Sequence, residues 1–190
     1  DLGILVDVSQ LTTEGFRQAI AASRAPVIAS HLGVAGVVKS ARNLADDELD
    51  AIKANNGVVG IVAFSSYLRQ QTPEVEAAVK AVRQKFGAVN GYEGLTQAQR
   101  DALGKETAAL QVRASVDDFA ASIDYAVKRI GVDHVAISSD FNHGGGVVGF
   151  EDEGDAPNVT KALIAKGYSQ EDIAKLWGGN VLRVLRAAEA

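Results

Sequence analysis

The stretch Val132-Asp133-His134-Val135-Ala136-Ile137-Ser138-Ser139-Asp140 decides the fold. Its centre is apolar without alternation, and it ends in two hydroxyls and a carboxylate. A strand covered on both faces reads this way, because neither side of its pleat meets water. Three other runs share the character: Ile4-Leu5-Val6-Asp7-Val8-Ser9, Pro26-Val27-Ile28-Ala29-Ser30-His31 and Gly57-Val58-Val59-Gly60-Ile61-Val62-Ala63-Phe64. Four such strands separated by helical patterns predict an α/β chain with a parallel sheet.

Between the strands the spacing predicts helices. Thr12 to Ser23 sets Phe16, Ala19 and Ile20 on one face, and Ala45 to Asn55 does so with Leu49 and Ile52 before the stop signal Asn55-Asn56-Gly57. Thr72-Pro73 opens a helix running to about Phe86. Thr96 with Gln99 and Ser115 with Asp118 form capping-box-like starts, and Ser169-Gln170-Glu171-Asp172 begins another helix. Asn180 to Ala188 closes the chain with Val181, Leu182, Val184 and Leu185 on an apolar stripe. The expected order is β-α-β-α-β-α-α-α-β-α-α. A (β/α)8 barrel takes about 250 residues and eight strands. Four strands in 190 residues amount to roughly half of one, and the two sheet edges left over ask for more polypeptide.

Composition narrows the function. Nineteen Lys and Arg stand against 24 Asp and Glu, a net charge of −5, which argues against a nucleic-acid groove or an anionic membrane surface. No apolar run reaches the roughly 18 residues that span a bilayer, and the start does not read as a signal peptide. The first residue is not Met, so the chain is expected to be part of a longer reading frame. There is no cysteine, which removes disulfides, thiolate metal sites and a cysteine nucleophile.

Polar residues gather at the C-terminal ends of the apolar runs, where parallel α/β folds build their sites. These are Asp7 with Ser9-Gln10, Ser30-His31, Phe64-Ser65-Ser66-Tyr67, and Ser138-Ser139-Asp140 followed by Asn142-His143. A histidine ending an apolar strand must be hydrogen-bonded or ligating, so His31 reads either as a core histidine or as a metal ligand. Asp140 in the same setting needs a cation, a metal or several donors. His134 falls at the start of its strand, away from the others. With three histidines in all, the chain does not supply a three-histidine metal site at one face. Arg42 either clamps a carboxylate in a bidentate fork or lies solvated near Asp46 and Asp47. Gly144-Gly145-Gly146 reads as a flexible loop or a phosphate nest. Glu151-Asp152-Glu153-Gly154-Asp155 reads as a solvated loop without EF-hand spacing.

Taken together, five ordered segments resemble the membrane (renal) dipeptidase family, the M19 metallopeptidases. They are Leu5-Val6-Asp7-Val8-Ser9-Gln10, Ala25-Pro26-Val27-Ile28-Ala29-Ser30-His31, Arg42-Asn43-Leu44, Asp133 to Phe141, and Gly178-Gly179-Asn180-Val181-Leu182-Arg183-Val184. Asp155 to Thr160 and Gly167 to Ile173 also fit the family's final stretch. The resemblance implies a (β/α)8 TIM barrel of the metal-dependent amidohydrolase type, a single domain of which residues 1–190 cover about strands 5–8. It implies zinc-dependent hydrolysis of dipeptides, often with a D-residue at the C-terminal position. His31 matches a zinc-ligand histidine, Arg42 the arginine that holds the substrate carboxylate, and Asp140 the strand-eight aspartate near the scissile amide. Gln10 departs from the pattern: the family carries its other second-metal histidine there, and an amide oxygen is a poorer zinc ligand than imidazole. His143 is expected to line the substrate pocket or to compensate for Gln10. Ser122 and Tyr125 stand where relatives often carry histidines and receive no role.

The family's remaining metal ligands, its His-x-Asp and bridging Glu, are expected before residue 1, so residues 1–190 alone are expected to be inactive. Expected partners are a dipeptide, the missing N-terminal half of the barrel and, as an open alternative, a second copy in a homodimer; no nucleic acid is expected. A periplasmic or membrane-associated address is expected from the resemblance alone. Rival readings are a one-metal amidohydrolase acting on another amide, a non-catalytic barrel that lost its metal, and a phosphate-ligand barrel using the triple glycine.

Overall fold

A computed structural model describes residues 2–89 and 91–190. In chain order the elements are α1 (Thr13–Ala22), β1 (Ile28–Val34), β2 (Asn43–Leu44), α2 (Asp46–Ala54), β3 (Val58–Val62), α3 (Ser65–Leu68), α4 (Pro73–Lys85), α5 (Gln97–Leu110), α6 (Val116–Ile130), β4 (Val135–Ser138), α7 (Ala156–Ala165), α8 (Gln170–Ala174) and α9 (Asn180–Glu189). They fall into two compact units, one from residues up to 69 together with 114–190, the other from 70–113.

In the first unit the strands form one parallel sheet in the order β2-β1-β3-β4. Val58 to Val62 are buried throughout, as expected for strands covered on both faces. The helices begin where short polar side chains cap them. Thr12 Oγ1 accepts from the Gly15 N–H, Ser115 and Asp118 cap each other, and so do Ser169 and Asp172. Helix α6 buries Phe119, Ala120, Ile123, Ala126 and Ile130, and stops at Gly131, whose φ of 94° is easy only for glycine. Leu49 and Ile52 of α2, Val59 and Ile61 of β3, and Leu163 of α7 join the same core. Each buried Val, Leu, Ile or Phe side chain among them contributes about 1.5–3 kcal/mol.

Sequence reading and structure part at the first run. Residues 4–9 do not form a strand; they touch the sheet through a single bridge, Asp7 to Ile28, and two backbone bonds, Val8 N–H to Ile28 O (2.8 Å) and Ile28 N–H to Val6 O (3.0 Å). Gly3 turns to φ 65°, which ends the extended course. The Asp7 carboxylate takes the Ser30 N–H that a ladder carbonyl would otherwise accept. Leu2 (85% exposed) and Ile4 (70%) face solvent. A second difference lies in β1, which continues through Leu32, Gly33 and Val34 instead of ending at His31. Its extension pairs Gly33 and Val34 with Asn43 and Leu44, a ladder too short to leave an apolar pattern in sequence.

The second unit is a pair of helices, α4 and α5. Thr72 and Thr96 cap them, Leu103 is buried, and the Gln71 amide exchanges two hydrogen bonds with the Val112 backbone (3.0 and 2.8 Å). Lys85 pairs with Glu106 at 2.9 Å on the surface, where such pairs are worth about 0–1 kcal/mol.

Candidate active site

A bulge in β1 shapes the site. Ile28 and Ala29 pair with Val58 and Val59, whereas the next partner of Ile61 is Leu32. Ser30 and His31 therefore stand together opposite Gly60. An extra residue on one strand re-aims the side chains beside it. Gly60 makes the bulge possible, since a Cβ there would run into the Ser30 carbonyl oxygen.

The re-aimed side chains meet the segment that carries Asp7 and Gln10. The Ser30 hydroxyl donates to Asp7 Oδ2 (2.6 Å) and lies 2.7 Å from His31 Nδ1. Asp7 Oδ1 accepts from the N–H groups of Ser9 (2.9 Å) and Ser30 (3.1 Å). Burial pushes the Asp7 carboxyl up, but these hydrogen bonds together outweigh it and hold the group below the ordinary carboxylate range. On the other edge of the ring, Gln10 Nε2 is 2.7 Å from His31 Nε2. Gln10 sits at φ 63°, a left-handed conformation that costs a side chain of this size roughly 1 kcal/mol or more.

Arg42 follows β1 in the loop before β2. Its Nε donates to the Tyr67 hydroxyl at 3.0 Å. Among the described residues its two terminal nitrogens have no protein partner. Tyr67 is in turn held by the buried Asn43, whose amide donates to the carbonyls of Val38 (2.8 Å) and Tyr67 (2.9 Å). Arg42 and Gln10 line one cavity of about 450 Å³ with Leu11, Phe16, Leu32 and Glu48. Asp46 and Asp47, near which Arg42 could have lain solvated, have other partners: Asp46 accepts from Tyr125 (2.7 Å), and Asp47 from Arg17 (2.8 Å).

Asp140 follows β4 in a left-handed conformation (φ 54°, ψ 32°). Its backbone carbonyl accepts from the His143 and Gly145 N–H groups. His143 is exposed, with Nδ1 3.8 Å from Asp140 Oδ1. Ser139 and Phe141 line a second cavity of about 220 Å³ with Ile137, Phe150 and Trp177. Leu32, Ile61 and Ile137 are level across the parallel ladders. His31, Arg42 and Asp140 thus share the half of the sheet toward which its strands run, but no hydrogen bond among the described residues joins Asp140 to His31 or Arg42. His134 stands at the opposite end, its Nδ1 2.9 Å from the Gly57 carbonyl.

Among the described residues no three His, Cys, Asp or Glu side chains are grouped to hold a metal. His31, anchored through Nδ1, fits one corner of a metal shell. Gln10 fits as a second donor only if its amide turns its oxygen inward. Sequence reading singled out His31, Gln10, Arg42, Asp140 and His143. It assigned no function to Asp7, Ser30, Tyr67 or Asn43, which hold two of those five in place. Their position beside the marked residues was the available signal.

A family model described as membrane dipeptidase (peptidase family M19) matches residues 1–190. The dipeptidase tcpJ of Claviceps purpurea is 29% identical over 192 residues, covering 99% of this chain and 35% of that protein. The crystal structure of the probable dipeptidase PvdM from Pseudomonas aeruginosa matches with a TM-score of 0.83 at 37% identity, over 98% of this chain and 51% of that one. A metallopeptidase from Rhodobacter sphaeroides, liganded with a phosphinate mimic of the dipeptide L-Ala-D-Ala, matches with a TM-score of 0.72 at 25% identity, over 98% of this chain and 43% of that one. The chain thus spans about a third of the curated relative and about half of the solved structures.

Proposed function

Because the chain belongs to the membrane dipeptidase family, peptidase family M19, we propose that the protein it is part of hydrolyses dipeptides with the help of a divalent metal, zinc by the character of the family. His31 is the metal ligand this segment supplies, Gln10 a weak second one. When bound, the ion polarises the scissile carbonyl and makes water a better nucleophile near neutral pH. Arg42 binds the free carboxylate of the substrate with its two terminal nitrogens, which limits substrates to those ending one residue past the cleaved bond. Asp140 takes up the proton that the attacking water gives off and passes it to the leaving amine, and His143 lines the substrate side of that carboxylate.

The observation that carries this reading is Arg42 itself: a guanidinium fixed at Nε, facing a cavity, with its terminal nitrogens unbonded among the described residues. The test is hydrolysis by the metal-loaded full-length protein of one dipeptide with a free and with an amidated C-terminus. The free form is the expected substrate. Hydrogen bonds to a charged group are worth about 1.5–3 kcal/mol, so Arg42→Ala is expected to raise KM for it about 10- to 100-fold. Equal hydrolysis of both forms, or none of either, overturns the reading. The Gln10–His31 hydrogen bond favours one variant of it, an amidohydrolase with a single metal. Metal content of the full-length protein separates the two.

A further inference from the structure

We propose that Asp7 and Ser30 are positioning residues for His31, which fix its imidazole in the tautomer protonated at Nδ1 and turn the Nε2 lone pair toward Gln10. The value of this for metal binding rests on the reading of His31 as a ligand given above.

The direction of each hydrogen bond follows from counting protons. An ionised carboxylate only accepts, and a serine hydroxyl has one proton to give. Ser30 Oγ lies 2.6 Å from Asp7 Oδ2, a length typical of a charge-assisted bond, so its proton goes there. What remains on Ser30 Oγ is lone pairs. The His31 Nδ1 at 2.7 Å must therefore be the donor. A neutral imidazole protonated at Nδ1 has its lone pair at Nε2, and at 2.7 Å from that nitrogen stands the Gln10 amide nitrogen, a donor. All directions agree: Gln10 to His31, His31 to Ser30, Ser30 to Asp7. Ligating histidines are commonly held this way, by a carboxylate or carbonyl on the nitrogen that does not ligate; here a hydroxyl is interposed.

The chain also explains the local fold. The β1 bulge sets Ser30 and His31 side by side, and Gly60 gives the bulged Ser30 carbonyl its space. Asp7 is fixed by the Ser9 and Ser30 N–H groups at the one bridge between its segment and β1. Three features that each weaken a regular ladder converge on one ring.

Nitrogen NMR on full-length protein labelled with 15N-histidine tests this, with His31 assigned through His31→Gln. In chelator-treated wild type, Nδ1 is expected to read as protonated and Nε2 as unprotonated. Ser30→Ala is expected to move His31 to the other tautomer or to a mixture, while Ser30→Thr, which keeps the hydroxyl, retains the original. Zinc affinity by chelator competition is expected to fall about 10- to 100-fold in Ser30→Ala and Asp7→Asn. An Nε2-protonated or doubly protonated ring in wild type overturns the proposal, as does a tautomer unmoved in Ser30→Ala. A tautomer that moves while zinc affinity holds upholds the positioning role and rejects His31 as a ligand.

Discussion

The Gln10 amide nitrogen and His31 Nε2, 21 residues apart, meet at 2.7 Å. The nitrogen through which His31 would bind a metal is therefore already satisfied by a neighbour that offers no lone pair of its own in this orientation. A metal must displace that bond, worth about 1 kcal/mol. Replacing Gln10 by His supplies an imidazole in its place. Gln10→His is expected to bring the full-length protein to about two ions per chain, the number in paired-metal hydrolytic sites, from a lower starting value. Elemental analysis measures this; equal metal content in both proteins sinks it.

Tyr67 sets how Arg42 would meet the substrate carboxylate proposed for it. With Nε occupied by the Tyr67 hydroxyl, only an end-on fork from the two terminal nitrogens is left. Tyr67→Phe removes one hydrogen bond, about 1 kcal/mol, and frees the guanidinium to rotate. KM for a free dipeptide is expected to rise about fivefold with kcat nearly unchanged. An amidated dipeptide, which lacks the carboxylate, should show no change. A fall in kcat with KM constant would place Tyr67 in the chemistry instead.

Much of this was legible in the sequence, for a physical reason. Strands buried on both faces have to be apolar, so β3 and β4 announce themselves, and helix caps need particular short polar residues, so Thr12, Ser115 and Ser169 mark starts that the structure keeps. Residues 4–9 misled because an apolar run reports what a segment prefers to bury, not how many ladder bonds it makes. The pairing of Ser30 with Asp7 was illegible because it depends on a one-residue bulge, and a bulge leaves no periodic trace. Arg42 could be marked as a clamp, but not that Tyr67 claims one of its nitrogens, because 25 residues separate the two.

Asp140 holds a left-handed conformation that side chains other than glycine enter at a cost. Gly145 packs tightly behind it, where a Cβ would strike the Ser139 carbonyl. The turn is thus strained at its aspartate. Asp140→Gly is expected to stabilise the full-length protein by up to about 1 kcal/mol, and to cut kcat about 10²- to 10⁴-fold by removing the proton carrier proposed above. Thermal denaturation and dipeptide turnover on the same preparation read both. A less stable Asp140→Gly protein would mean that the carboxylate makes stabilising contacts that outweigh the backbone strain.

Tyr168 provides a pH-dependent test of the packing of α6. Its hydroxyl donates to Asp124 at 3.0 Å. Burial foremost, then the bond to Asp124 and its charge, push the phenol well above its ordinary value near 10. A group whose pKa is raised on folding stabilises fully below its unfolded pKa, and loses that contribution as pH climbs toward the folded value. The loss therefore begins near pH 10, on the alkaline side. Tyr168→Phe gives up the hydrogen bond, at about 1 kcal/mol near neutrality, but carries no phenol to titrate. The gap in melting temperature between wild type and Tyr168→Phe should be widest below about pH 9 and close as pH rises past 10. Melting curves of the two full-length proteins across that range decide it, and a gap that stays constant would show that the hydroxyl is not held as described.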